Sequence, residues 1–334
     1  VSAPSAKKLL TWYAGHRRYL PWRSAPGQAA DPYHVWLSEI MLQQTVVATV
    51  KPYYAKFLAA YPRVEGLAVA PVDEVLGMWA GLGYYARARN LHACAKAVAA
   101  LGGFPRTVEG LRALPGVGPY TANAIGAIAF GIPVLPVDGN IERVAARVFA
   151  VTAPIPGAKP AIAAAAQAFM DDAAAQAAPG DFAQALFDLG ATICTPKNPN
   201  CLICPWAEAC QARALGIASD LPARSKKPER PRRTGTAYVL MDDLGDVLLL
   251  KRPETGLLGG MMALPDVEPV AAAWVDAGQI QHVFTHFALT LAVRAAKVAR
   301  LPAGSLRGAA ATTPLPSVMR KALDAGRAAL DDWE

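Results

Sequence analysis

The run LPGVGPYTANAIGAIAFGIPVLPVDGN at residues 114–140 limits what this chain can fold into more than any other stretch. Thr107 can cap a short helix running to about residue 113. Leu114-Pro115-Gly116-Val117-Gly118 then ends it with a proline and two glycines, which permit a tight turn of bare backbone. Pro119 suits the first position of the next helix. Amides in such a turn, aimed outward at a helix N-terminus, form an anion site that a phosphate can approach without a side chain intervening. By itself the same string also fits a plain loop between two packed helices.

The end of the run favours the first reading. Residues 133–137 cannot continue a helix, and Asp138-Gly139-Asn140 leads into a helical pattern over 141–150 with Asn140 as its expected N-cap. Asp138 then lies just ahead of a helix N-terminus, where partial positive charge and nearby amides favour its ionised form. A second carboxyl is conspicuous upstream. Asp31 caps a helix that has Pro32 in its first turn and continues through residue 45, and Glu39 sits on its apolar face among Val35, Trp36, Leu42 and Val46. Burial there raises a carboxyl pKa and lets it hold a proton near neutrality.

Four of the five cysteines fall in one loop, Cys194-x6-Cys201-x2-Cys204-x5-Cys210, shaped by Pro196, Pro199 and Pro205. Four thiolates at this spacing suit zinc or a cubane iron–sulfur cluster, and ligand chemistry alone leaves both open. The N-terminal residues show no signal-peptide pattern, which argues against disulfides and for an intracellular, cytoplasmic protein. No apolar run reaches the roughly 18 residues of a membrane span, so no membrane partner is expected.

At 334 residues the chain has room for two or three domains. Its net charge of +7 is unevenly spread. Residues 1–222 carry 18 basic against 14 acidic side chains, residues 223–235 six against one, and residues 236–334 nine against eleven. The excess lies in the first two parts, which suits a polyanion partner. Before the central run, helical patterns occupy 5–20 and 51–102, with Tyr84 and Tyr85 at a turn where each can stack on a base or plug the core. After it come Ala-rich helices at about 160–178 and 181–192, and Pro-spaced cations at 224–233 read as an extended linker. Strand patterns at 236–241, 247–251, 280–285 and 289–295, followed by a helix at about 317–330, make a separate α+β domain.

Together, LPGVG, Asp138 in VDGN and the four-cysteine loop directly after DLGATIC resemble the helix-hairpin-helix DNA glycosylase superfamily. WLSEIMLQQT around Glu39 and the extra C-terminal domain resemble its MutY-type adenine glycosylases. The resemblance implies a multidomain protein. An all-α helix-hairpin-helix glycosylase domain with an iron–sulfur loop spans 1–222, with a six-helix module at about 26–135 and an iron–sulfur module made of 1–25 plus 136–222. A basic linker at 223–235 leads to a smaller α+β Nudix-like domain at 236–334. It implies one [4Fe–4S] cluster on Cys194, Cys201, Cys204 and Cys210, and a monomer working on the nucleoid in base excision repair. Its partner is double-stranded DNA containing adenine opposite 8-oxoguanine or guanine.

The resemblance also assigns residues. Glu39 would protonate the flipped adenine at N7 and Asp138 would stabilise an oxocarbenium-like sugar, with Asn140 orienting Asp138 and Tyr120 beside the sugar. Gly116 and Gly118 form the phosphate-facing hairpin, Leu42, Gln44 and Tyr84 match wedge positions, and Arg23 and Gln184 match the base pocket. Where endonuclease III-type relatives carry a nucleophilic lysine two residues past the hairpin's last glycine, this chain has Tyr120, which implies a monofunctional enzyme. Gly256-Leu257-Leu258-Gly259-Gly260 resembles a Nudix-like domain but lacks the acidic run that binds magnesium, so no pyrophosphatase activity is expected. Phe284-Thr285-His286 stands where the family has Phe-Ser-His reading 8-oxoguanine, and Met262-Ala263-Leu264 departs from the family's usual Trp-Glu-Phe.

Overall fold

A computed structural model describes residues 3–225, 230–253, 256–284 and 286–331. Thr285 and residues 226–229 of the expected linker therefore lie outside the described residues. The chain divides into two units: Val1–Pro71 with Arg89–Lys226, and Val72–Ala88 with Lys227–Glu334.

In the first unit, local rules place the early helices. Helix α1 spans Ala6–His16, capped by Ser5, and α2 spans Pro32–Leu42, where the Asp31 carboxylate accepts from the Tyr33 amide at 2.7 Å. Then come α3 (Val47–Ala60), α4 (Val64–Val69), α5 (Val72–Trp79, in the second unit) and α6 (Ala86–Leu101). Thr107 caps α7 (Val108–Arg112), and Pro119 opens α8 (Pro119–Phe130). Helix α9 (Gly139–Val148) is followed by α10 (Lys159–Gln167), α11 (Ala173–Ala177), α12 (Pro179–Thr192) and α13 (Gln211–Ala214).

The core that positions the site is built where α8, α9 and α1 pack against α12. Leu9, Tyr13, Leu135, Ile141, Val144, Phe182, Leu186 and Trp206 close this core, all buried. Helix α2 packs on α8 and is buried nearly all round, from Val35 to Met41, rather than along one face. That explains why a single charged residue there is so isolated from water.

Several expectations fail locally. Helix α2 stops at Leu42 with Gln43 as its C-cap, rather than continuing through residue 45. The Ala-rich pattern at 160–178 is not one helix, because Asp172 breaks it: its carboxylate caps α11 by accepting from Ala174 N at 2.8 Å and also takes Ala6 N at 2.9 Å. The N-cap of α9 is Asp138, not Asn140. Its Oδ1 accepts from the amides of Asn140 at 2.9 Å and Ile141 at 2.8 Å, so the helix begins at Gly139.

The second unit carries a sheet of β1 (Arg232–Asp242), β2 (Asp246–Lys251), β3 (Met262–Ala263), β4 (Val275–Val283), β5 (Ala288–Val298) and β6 (Leu306–Ala309). The order is β3-β2-β1-β5-β4, with β6 on β2. Only β1 and β5 run parallel; β1–β2, β2–β3, β2–β6 and β4–β5 are antiparallel. Helix α14 (Ser317–Asp331) lays Val318, Ala322 and Leu323 on β1, β4 and β5. Strand β1 starts at Arg232, so the last residues read as linker are already paired to β5. Met262-Ala263 is an edge strand against β2. No described helix is long and apolar enough to cross a membrane.

Candidate active site

A cleft of about 600 Å³ in the first unit gathers eight of the residues singled out from the sequence. Glu39, Leu42, Gln44, Tyr120, Asp138, Asn140, Arg23 and Gln184 all line it. Glu39 is 7% exposed, and its Oε2 accepts from the Tyr120 hydroxyl at 2.7 Å. Burial pushes the Glu39 carboxyl up to about 7; the Tyr120 hydrogen bond opposes this, the Asp138 charge adds to it, and Arg23 again opposes it. Burial drives the Tyr120 phenol well above its ordinary value, helped by Glu39 and Asp138, so it stays a donor.

Asp138 is held in a different way. Besides two backbone amides on Oδ1, its Oδ2 accepts from Asn140 Nδ2 at 2.8 Å. Burial raises its pKa, contrary to the expectation from a helix end alone, while the Ile141 and Asn140 donors and Arg143 pull it back down. Protonating this carboxyl would weaken three charge-assisted hydrogen bonds at once. Glu39 has a single donor to lose, so of the two groups Glu39 is built to keep the proton and Asp138 to be the anion.

Arg143 was missed in the sequence. Its Nη2 donates to Asn140 Oδ1 at 2.9 Å and to Gly190 O at 2.6 Å, and its Nε to Cys194 O at 2.7 Å. It therefore turns the Asn140 NH2 group toward Asp138 and ties the opposite end, the amide oxygen, to the cysteine loop. Its position three residues after Asn140 on one helix face was the available signal. Gly190 permits this closeness: a Cβ there would stand 2.6 Å from Asn140 Cβ.

Arg23 is in the cleft wall, but its guanidinium is committed to buried Asp188, with Nη1 at 2.7 Å and Nη2 at 2.9 Å from the carboxylate oxygens. Burial raises the Asp188 pKa, yet Arg23 and Arg18 outweigh it, and the net shift is downward. Gln184 donates to Gly180 O at 3.1 Å, leaving its carbonyl oxygen uncommitted by that bond. Leu42 is half-buried at the cleft, and Gln44 is exposed with φ +59°, a left-handed conformation uncommon for a non-glycine residue.

The remaining candidates stand elsewhere. Gly116 turns at φ +72°, where a Cβ would meet Asn90 Cβ at 2.6 Å, and Gly118 is the N-cap residue just ahead of α8, with no side chain to cap it. Tyr84, in the second unit, is 52% exposed with φ +49°, its ring under the Arg87 guanidinium that also donates to Leu82 O and Gly83 O. Neighbouring Tyr85 is buried, as a residue plugging the core would be. Phe284 stacks on Phe287 at 4.8 Å and His286 is exposed.

Cys194, Cys201, Cys204 and Cys210 line one small cavity with Trp206 and Arg147. Burial pushes the Cys204 thiol up to about 11, with contributions from Cys194, Cys210 and Cys201 that reflect their proximity. Buried Arg147 donates to Cys194 Sγ at 3.2 Å. Among the described residues no group of three or more His, Cys, Asp or Glu side chains is placed to hold a metal ion. Four thiols on one cavity are a donor set that suits either zinc or an iron–sulfur cluster.

Comparison with known proteins gives each part of the chain a family. Residues 37–167 match the family model described as HhH-GPD superfamily base excision DNA repair protein, and residues 236–325 match a NUDIX domain. Adenine DNA glycosylase of Mycolicibacterium smegmatis is 37% identical over 246 residues, covering 73% of this chain and 80% of that protein. The Mus musculus enzyme is 35% identical over 375 residues, covering 89% of this chain and 71% of its own length. The chain belongs to the adenine DNA glycosylase family. Against the Homo sapiens enzyme, 37% identical across 82% of this chain, it spans 58% of the relative's length. Among solved structures, a thermostable thymine-DNA glycosylase aligns with TM-score 0.54 at 30% identity, over 63% of this chain and 95% of that one. An endonuclease III–DNA complex aligns with TM-score 0.52 at 20% identity over 64% and 94%, a likeness of fold.

Proposed function

We propose that this adenine DNA glycosylase family member excises adenine paired with 8-oxoguanine or guanine in duplex DNA, as a monofunctional hydrolase. The observation that carries the reading is one cleft holding a buried Glu39, raised to about 7, beside an Asp138 wrapped in N–H donors. Glu39 delivers a proton to the flipped base, and Tyr120, bonded to one of its oxygens, leaves the other to carry the transferable proton. As the N-glycosidic bond breaks, the Asp138 carboxylate faces the cationic sugar, and Asn140, oriented by Arg143, keeps it there. Tyr120 has no amine with which to form an imine on the sugar.

The hairpin at Gly116 and Gly118 grips backbone phosphate, and Leu42, Gln44 and Tyr84 fill the gap left by the extruded adenine. Residues 1–222 would form the catalytic part and residues 236–334 the lesion reader, through Phe284, Thr285 and His286. Cys194, Cys201, Cys204 and Cys210 would hold one [4Fe–4S] cluster. When bound, it supplies iron–thiolate bonds that pin the loop carrying the Arg143 and Arg147 acceptors.

A cleavage assay on duplexes with A:8-oxoG, A:G, A:C, T:G and thymine-glycol pairs, with and without alkali, tests this reading. Strand breaks at A:8-oxoG and A:G only after alkali are expected. Preference for T:G, which the likeness to a thymine-DNA glycosylase makes worth including, or breaks without alkali, would overturn it.

A further inference from the structure

We infer that Asp188 is a positioning residue for the acid side of the cleft: from α12 it clamps the guanidinium of Arg23 in the wall that Glu39 shares. Asp188 is fully buried, and four donors saturate its two oxygens. Oδ1 accepts from Arg23 Nη2 at 2.9 Å and Arg18 Nε at 2.5 Å, while Oδ2 accepts from Arg23 Nη1 at 2.7 Å and Arg18 N at 2.9 Å. Both arginines line the cleft, and the Arg23 side chain is 7% exposed, so its charge is poorly screened. One turn earlier on the same helix, Gln184 lines the same cleft, which makes Asp188 the inner anchor of a wall rather than a remote core pair.

Two cations on one anion leave a residual positive charge beside the buried acid. Acting directly on Glu39 are Tyr120 from α8, Asp138 ahead of α9 and Arg23 from the segment between α1 and α2, while Arg18 of that segment lines the same cleft without being one of them. From α12 the cleft receives only Gln184, Phe187 and Ala191, none of them charged. Arg23 is the cation among them, and it opposes the effect of burial on Glu39. Asp188 thus offsets the charge that would otherwise draw the proton off Glu39, and keeps that charge in one place.

The inference rests on Glu39 being the general acid. Single-turnover adenine excision by the full-length chain should be followed from pH 5 to 9, with DNA affinity measured separately. Rate should fall as pH rises through the Glu39 pKa. In Asp188→Asn the arginines lose their counter-charge, Glu39 gives up its proton more readily, and the fall should move to lower pH. In Arg23→Gln the fall should move to higher pH. Each shift should be about half a pH unit, about threefold in rate at a fixed pH above the midpoint. Opposite shifts support the clamp; shifts of the same sign, or a uniform rate loss with an unmoved midpoint, overturn it. If Asp188→Asn does not fold, Arg23→Gln decides alone, an upward shift supporting and an unmoved midpoint overturning. Glu39→Gln separates the two ideas: if it still cleaves, the acid assignment has failed, and if it is inactive while the midpoints stay fixed, only the clamp has.

Discussion

Tyr120 donates its hydroxyl hydrogen to Glu39 Oε2 at 2.7 Å across 81 residues of sequence, joining the helix behind the glycine hairpin to the buried acid of α2. Replacing Glu39 by Gln keeps the shape and the acceptor for Tyr120 but removes the proton. Excision should fall by roughly 10²–10⁴-fold while affinity for mispaired DNA is retained, as single-turnover rates and gel shifts would show. Normal turnover would end the assignment.

The same carboxyl makes stability depend on pH. Its folded-state pKa of about 7 exceeds the usual 4.5, so the folded protein binds the extra proton between those values and unfolding is progressively favoured as pH rises through that window. Glu39→Gln has no such dependence. Urea denaturation should find the variant gaining on the wild type by up to roughly 3 kcal/mol between pH about 4.5 and just above 7, then levelling off. A gap that stays constant across that range would contradict the burial.

Gly190→Ala should damage chemistry without touching a reacting group. A Cβ at 2.6 Å from Asn140 Cβ must push the Asn140–Asp138 pair aside. Excision should slow by roughly 10–100-fold with DNA affinity little changed. Equal losses in both would mean general unfolding instead.

Gly116→Ala acts on binding. The residue must hold φ +72° and find room against Asn90, which costs about 1–2 kcal/mol of strain at the hairpin. Affinity should drop by a similar factor for matched and mispaired duplexes, since backbone phosphate contacts carry no sequence information. A loss confined to the mispair would refute the phosphate role.

Cys204→Ser should remove the cluster's visible absorption and lower the melting temperature of the purified protein, because the loop loses a ligand and its metal-derived stability. A colourless wild type, or a variant that melts unchanged, would count against the cluster.

Features set by neighbouring residues were readable from the sequence. Asp31, Thr107 and Pro119 act at helix ends as their positions require, and Glu39 is conspicuous because its surroundings are apolar. Strands β1, β2, β4 and β5 emerged from their patterns, whereas two-residue β3 is too short to show one. Asp138 taking the cap from Asn140 depends on which side chain reaches the amides first, a matter of backbone angle rather than composition. Asp188 gave no local signal. Its partners lie 165 and 170 residues away, and only the packing of α1 on α12 brings them together.

That packing also bears on how the chain is made. Trp206 Nε1 donates to Ser5 O across 201 residues, and Ala6 N reaches Asp172 across 166. The opening helix emerges from the ribosome long before its seat has been translated. Until α12 has been made, Arg18 and Arg23 have no carboxylate to hold, and Leu9 and Tyr13 lack the core that Phe182, Leu186 and Trp206 complete, so the N-terminal helix stays unseated until most of this unit has been synthesised.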